Sequence, residues 1–396
     1  MADDTLKRRI GPGLLTAYGV GIMVGAGIYV LVGAVAGSAG IWAPAAFLLA
    51  GLIAAPTALS YSEFSTRIPE AAGEAAYVGS GLNSQAMAML VGLAVVAAGT
   101  VSAGAVLRGG VGYLTTAVEV DATLAIVALG IALTAVAVFG ALESLALVAV
   151  FTVIEMAGLV LVVWAGFSAP EVADWTAPPI PVWSGIGLGA VLAFFAFIGF
   201  EDIVNMAEEV DRPTTTLPRA ILYALAITTV IYALVTLAAV RAVPADALSA
   251  SPNPLVLVWQ AGRGGSGDFL SGIAVFAALN GVLAQIVMAS RVLFGLGKRN
   301  PALAIFHHAH PRFGTPLLAT VLIGAVVIVA ALTVQLVTLA EVTSSILLSV
   351  FVLVNLALIF QKRRAPEAPF RVPMAVPVVG LILSLGALMV ALGGMI

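Results

Sequence analysis

Stretches of 18 or more apolar residues recur from one end of this chain to the other, and each is long enough to cross a bilayer core as a helix. Nothing else in the sequence constrains the fold as strongly. A membrane interior offers no water to backbone N–H and C=O groups, so a spanning segment is either a helix or part of a closed barrel. The runs here are continuous and do not alternate, which excludes a β-barrel. Of the 396 residues, 61% are hydrophobic and 9% are charged, so little mass is left for a domain outside the membrane. The fold class is an all-α polytopic membrane protein. With no cysteines, disulfides, thiolate metal sites and cysteine nucleophiles are excluded. The net charge of −3 gives no reason to expect a nucleic-acid partner.

Eleven spans can be drawn, at roughly 14–36, 41–65, 83–107, 121–140, 144–167, 186–207, 218–241, 269–296, 316–333, 338–360 and 374–394. The basic "KRR" before the first run and the "AVA" at 34–36 resemble a secretory leader. The run from Leu14 to Ala36 is too long for one and reads as a retained first span. Placing the N-terminus in the cytoplasm puts all of the 17 Lys and Arg on the inside except Arg108, Arg241 and Arg263. One span too many or too few would invert the later loops and destroy that bias. The reading is a multi-pass protein of the cytoplasmic membrane, N-terminus inside and C-terminus outside.

Eleven spans divide as five, five and one, and an odd repeat unit gives two halves of opposite orientation. An offset of 174 superposes Gly11 on Gly185, Gly13 on Gly187, Gly25 on Gly199 and Pro44 on Pro218. The expected organisation is a single transmembrane domain, with repeat one over about 10–167, repeat two over about 184–361 and an extra helix over about 372–395.

The first span carries "GIMVGAGIYV" at 21–30, with glycines at Gly21, Gly25 and Gly27. Two readings compete. Small residues four apart are ordinary packing points between membrane helices. Alternatively, the helix is broken at Gly25–Gly27, which frees peptide N–H and C=O groups at mid-membrane, where only protein, water or a bound solute can satisfy them. A half-helix N-terminus suits a carboxylate and the opposite helix end suits an ammonium, so two facing breaks could hold a zwitterion by backbone alone. The second candidate break is "FFAFIGFEDIVN" at 194–205, where Gly199 is followed by Glu201 and Asp202. Carboxyls within a span are costly and are functional candidates by default. Pairing with a structural partner is the alternative for both.

These two motifs, with "YSEFSTRIPEAAGEAAYV" (61–78) and "SRVLFGLGKRNPALAIFHHAHPRFGTPLLA" (290–319), resemble the amino acid–polyamine–organocation transporters, in particular their cationic amino acid transporter branch. The resemblance covers about residues 10–390. It implies a LeuT-type fold of two inverted five-helix repeats, with spans 1 and 6 unwound around a central site. It also implies that Gly25, Ala26 and Gly27 present N–H groups to an α-carboxylate. The carbonyls of Met23, Phe195 and Ile198 would receive the α-amino group beside Gly199. Phe195 would be an aromatic gate, and Glu201 an acidic residue after the break. Proton-coupled relatives often carry a lysine in span 5, where this chain has Glu155 at the approximately matching position.

The implied activity is amino acid import by alternating access, with a small-molecule amino acid as substrate, a proton as the expected coupling ion, and no cofactor, metal or enzymatic step. Glu155 lies near the middle of span 5 with no central Lys or Arg in any span. It is either a proton carrier or a permanently protonated structural donor. Together with Glu201 and Asp202 it forms the expected coupling and gating set. Sodium suits the chain less well, because span 8 offers Ser290 as the hydroxyl in "NGVLAQIVMASR". Uncoupled amino acid exchange and carriage of an organic amine or polyamine stay open. Of other classes, an intramembrane prenyltransferase would need a second aspartate-rich motif to match the acidic run of Glu201, Asp202, Glu208, Glu209 and Asp211. A channel would need a polar pore lining. The "HHAH" at 307–310 has no carboxylate beside it and is expected to bind no metal.

Overall fold

The computed structural model describes residues 10–69, 73–139, 145–172, 175, 178–207, 210–310 and 315–394. The architecture is all-helical, and among the described residues the one β feature is an isolated parallel bridge between Ile10 and Val210. Lys7, Arg8, Arg9 and Arg312 of the charge argument, and Glu208 and Glu209 of the acidic run, lie outside the described residues.

The first predicted span is two helices. Helix α1 (Pro12–Val24) begins with Pro in its first turn, where a missing N–H costs nothing. It stops at Gly25, and α2 (Ala26–Ala39) starts at the next residue. A short 3₁₀ turn at Gly40–Trp42 leads into α3 (Ala43–Arg67). Helix α4 (Gly73–Leu82) lies between spans. Next comes α5 (Gln85–Ala117), whose N-cap Ser84 accepts a hydrogen bond from the Met87 N–H at 3.3 Å. Then follow α6 (Ala122–Phe139) and α7 (Leu145–Ser168).

The sixth predicted span is also interrupted. Helix α8 (Trp183–Phe195) ends in a turn over 196–200, and a 3₁₀ segment follows at Glu201–Met206. The rest is α9 (Pro213–Ala242), two short helices α10 (Ala245–Ala250) and α11 (Pro254–Arg263), α12 (Asp268–Arg299), α13 (Leu317–Thr333), α14 (Leu336–Arg364) and α15 (Ala375–Gly394). Among the described residues, eight helical stretches are long and apolar enough to cross a membrane. One of these runs from Gly27 in α2 to Arg67 at the end of α3, and α1, α8 and the 17-residue α13 are shorter.

The helices pack as pairs drawn from the two halves of the chain: α2 on α8, α3 on α9, α5 on α12 and α6 on α13. One continuous apolar core runs through these pairs. Large apolar side chains such as Leu52, Ile131, Val153 and Met389 face outward, as a lipid-facing surface requires. Helix α15 docks on α3 and α14 through a buried polar cluster. There Asn355 Nδ2 donates to Thr57 Oγ1 at 2.8 Å, Ser60 Oγ donates to Asn355 Oδ1 at 2.7 Å, and Thr57 lies 3.4 Å from Ser384.

Candidate functional site

The site is built where the two interruptions meet. At the first, Gly25 takes φ −30° and ψ −157°, which turns the chain without ending it. Its N–H still donates to the Gly21 carbonyl at 3.1 Å, and no side chain caps the start of α2. The leading N–H groups of α2, from Ala26 and Gly27 onward, are the orphan donors of a helix N-terminus, with its partial positive charge.

The break is narrower than the Gly25–Gly27 reading. Gly27 is helical, and a Cβ there would lie 2.9 Å from the Ala196 backbone. A Cβ on Gly21 would run into the Thr152 hydroxyl. Thus Gly25 makes the break, while Gly21 and Gly27 serve close packing.

At the second interruption, Phe195 is the last residue of α8, and tight turns follow from the N–H groups of Ala196, Phe197 and Ile198. The Phe195 carbonyl accepts from Ile198 at 3.3 Å. Gly199 has φ +123°, a conformation that L side chains rarely adopt. Its N–H donates to Glu201 Oε2 at 3.0 Å, so the carboxyl caps the turn that glycine permits.

A tyrosine joins the two breaks. Tyr232, from α9, is fully buried, and its hydroxyl lies 2.5 Å from the Met23 carbonyl oxygen and 2.9 Å from that of Ala196. One hydroxyl proton is thus shared between a carbonyl of each break. The ring is held edge-on by Phe47 at 5.7 Å and Phe197 at 5.2 Å. The sequence reading missed Tyr232, which sits in an apolar helix without any local motif.

Glu155, on α7, is 2% exposed, and neither carboxyl oxygen has a hydrogen-bond partner among the described residues. Its backbone carbonyl accepts from Tyr29 Oη at 2.7 Å, and the Tyr29 carbonyl in turn accepts from Tyr113 Oη at 2.7 Å. The carboxyl lies within electrostatic reach of the Tyr29 and Tyr232 hydroxyls.

Glu201 and Asp202 are buried beside a third carboxyl, Glu74 of α4, near enough for all three to repel one another. Glu74 lies in the 61–78 motif between the second and third predicted spans, and its return to the second break could be seen only in three dimensions. Tyr61 Oη lies 3.4 Å from Glu74 Oε1. Burial pushes the Glu74 carboxyl up to about 7, and hydrogen bonds offset part of that rise. Among the described residues the ion pairs are Arg67–Glu63, Lys362–Glu63 and Arg241–Glu171, so none neutralises this cluster.

No group of three or more His, Cys, Asp or Glu among the described residues is arranged to hold a metal ion. In "HHAH", the His307 ring packs on Phe294 with centroids 4.4 Å apart.

Comparison with known proteins adds a family. The family model described as amino acid permease matches residues 14–395. The chain is similar to the branched-chain amino acid permease BcaP of Bacillus subtilis, at 26% identity over 95% of this chain and 86% of that protein. It is similar to the methylthioribose transporter of the same organism, at 30% identity over 96% of this chain and 87% of that one. It also resembles cationic amino acid transporter 4 of Homo sapiens, at 30% identity over 80% of this chain and 53% of that one.

Proposed function

Because the chain belongs to the amino acid permease family, we propose that it is a secondary active transporter, not an enzyme, moving an amino acid across the cytoplasmic membrane by alternating access with a proton as the coupling ion. The observation that carries this reading is the meeting of two interrupted helices at the Tyr232 hydroxyl. Peptide groups freed at mid-membrane are stable only against protein, water or a solute.

The substrate carboxylate is assigned to the free N–H groups of Ala26 and Gly27; the third donor that the resemblance implies, the Gly25 N–H, is held by the Gly21 carbonyl and joins them only if that bond opens. The ammonium is assigned to the carbonyls of Met23, Phe195 and Ile198 beside Gly199. The Met23 carbonyl already accepts from Tyr232, so an arriving ammonium competes with that hydroxyl and releases its hold on one break. Phe195, buried at the end of α8, serves as the aromatic gate.

The LeuT-type reading assigns spans 1–5 and 6–10 to two inverted repeats, with α15 as the eleventh span. The packing of α2, α3, α5 and α6 on α8, α9, α12 and α13 supports it, since each pair joins equivalent spans of the two repeats. The basic residues favour a cytoplasmic N-terminus. Glu155 is assigned the coupling proton because its carboxyl is buried, lacks a partner among the described residues and lies within electrostatic reach of Tyr232. Glu201 and Asp202 are assigned to gating at the second break.

Uptake of labelled amino acids into liposomes containing the purified protein tests this. The expected result is saturable uptake, with accumulation raised by an inward proton gradient. Glu155→Gln should abolish gradient-driven accumulation and retain exchange of internal for external substrate. Absence of uptake for every amino acid tested would defeat the transport reading. Unchanged accumulation in Glu155→Gln would remove Glu155 as the proton carrier. The similarity to the methylthioribose transporter supports a second reading of the cargo, so methylthioribose belongs in the same competition series, with organic amines.

A further inference from the structure

The three arginines that the span assignment leaves outside are engaged very differently. Arg108 Nη1 donates to the Ala331 carbonyl at 2.6 Å. Arg241 pairs with Glu171 at 2.8 Å and donates to the carbonyls of Gly166, Phe167 and Ala169 at the end of α7. Arg263, the last residue of α11, is exposed and makes no ion pair or hydrogen bond among the described residues. Its guanidinium carbon lies 3.4 Å from the centre of the Trp164 ring, on α7.

The sequence builds this contact from three helices. A Cβ on Gly262 would run into the Ala165 carbonyl, so glycine lets α11 press directly onto α7. Past Arg263 the chain turns through Gly264, Gly265 and Gly267, all at positive φ, and Gln260 Nε2 pins the turn by donating to the Ser266 carbonyl at 3.1 Å. The turn sets Phe269, at the start of α12, edge-on to Trp259 with centroids 4.8 Å apart, and Trp259 lies 6.4 Å from Trp164. The result is one aromatic shelf with a cation on it. Deeper in the span α7 and α12 run side by side, with Phe151 and Phe276 5.2 Å apart. Val160 and Trp164 on α7, and Phe269 and Phe276 on α12, are exposed along this seam.

Stacking holds the guanidinium flat on the indole and leaves its N–H edges uncommitted. Aromatic residues at the ends of spans are ordinary interfacial anchors. Here the aromatic shelf also carries an unspent planar fork, placed at the head of an apolar seam. Asp268 follows closely in sequence but forms no ion pair with Arg263, so the positive charge stays unneutralised. An occupant that complements both parts is anionic at one end and apolar along the rest. Phosphate is the anion whose paired oxygens match the guanidinium fork.

We propose that the α7–α12 seam binds one anionic phospholipid, with its phosphate on Arg263 and an acyl chain along Val160 and Phe276. The proposal is independent of the cargo and of the coupling ion, because lipid binding can be measured without any transport.

The test is thermal unfolding of the full chain in detergent, titrated with dioleoylphosphatidylglycerol, with dioleoylphosphatidylcholine of the same chains, and with glycerol 3-phosphate. A ligand that binds the folded state raises the midpoint. The expected result is a saturable rise with phosphatidylglycerol at concentrations where the other two give none. Arg263→Gln should weaken that response roughly tenfold or more, the loss expected for a charge-assisted hydrogen bond. Trp164→Leu keeps an apolar wall and removes the stacking, so it should weaken the response in the same direction. Arg363→Gln, which removes another exposed cation at the end of α14, should leave it unchanged. Equal responses to the two phospholipids would reduce the seam to an ordinary interfacial anchor and overturn the proposal. Saturation by glycerol 3-phosphate at the same concentrations would make it a soluble-anion site instead. An unchanged response in Arg263→Gln, or an equal loss in Arg363→Gln, would also defeat it.

Discussion

Glu63 and Glu155 are both buried carboxyls on long helices, and their surroundings could hardly differ more. Glu63, near the end of α3, accepts from Arg67 Nη2 at 2.6 Å, from Lys362 Nζ at 2.6 Å and from the Val372 N–H at 2.9 Å. Arg67 also reaches the carbonyls of Ala365 and Glu367 at 2.8 and 3.0 Å, so one carboxylate ties the α14–α15 connection to α3. Glu155 accepts nothing among the described residues. Burial alone therefore does not mark a working carboxyl. The saturated one is a fastener, and the bare one can gain or lose a proton without breaking any pairing.

Removing the fastener should have the largest effect. Glu63→Gln strands two buried cations and should cost about 3–5 kcal/mol. The check is thermal unfolding of the purified protein, read as a fall in midpoint. Adding Lys362→Met should recover part of the loss, because one stranded charge goes with it. A midpoint equal to wild type would show that Glu63 is not the hub its hydrogen bonds make it.

Glu74 stands between the two extremes, with a hydroxyl beside it and no cation. Its carboxyl is raised by burial to about 7 from 4.5, so the folded state holds a proton that the unfolded state has already lost. The favourable effect of that group is present at low pH and is lost as pH rises from 4.5 through 7. Glu74→Gln should therefore resemble wild type near pH 4.5 and be more stable above pH 8, by about 3 kcal/mol at most. Melts across that range decide it. A difference that grows toward low pH would reverse the sign and refute the assignment.

Tyr232→Phe should have a smaller effect on stability, about 1–2 kcal/mol, because ring packing on Phe47 and Phe197 is retained and one shared hydrogen bond is lost. Its effect on uptake should exceed that loss if the hydroxyl sets the spacing of the two breaks. A variant with wild-type uptake would confine Tyr232 to packing.

What the sequence made legible follows a physical divide. Apolar length and glycine placement are local properties, so the long apolar helices and both interruptions, at Gly25 and Gly199, could be read directly. The same locality misjudged Gly27, because whether a glycine bends a helix or admits a neighbour depends on what lies across from it, here Ala196. Long-range polar partners were invisible for the same reason. Tyr232 is 209 residues from Met23, and Lys362 is 299 residues from Glu63. Glu74 lies between two predicted spans, and nothing local says that α4 carries it to the second break.

The smallest expected stability effect is also the sharpest test of the opening contrast. Glu155→Gln keeps the shape of the side chain and breaks no hydrogen bond present among the described residues. Its amide, like the acid it replaces, lacks partners, so the change in stability should stay within about 1 kcal/mol while gradient-driven accumulation is lost. A fall comparable to that of Glu63→Gln would mean that Glu155 is itself a fastener, paired in some state of the transport cycle. The proposed coupling proton would then have to be sought in the carboxyls at the second break, where Glu74, Glu201 and Asp202 lie together with no ion-pair partner among the described residues.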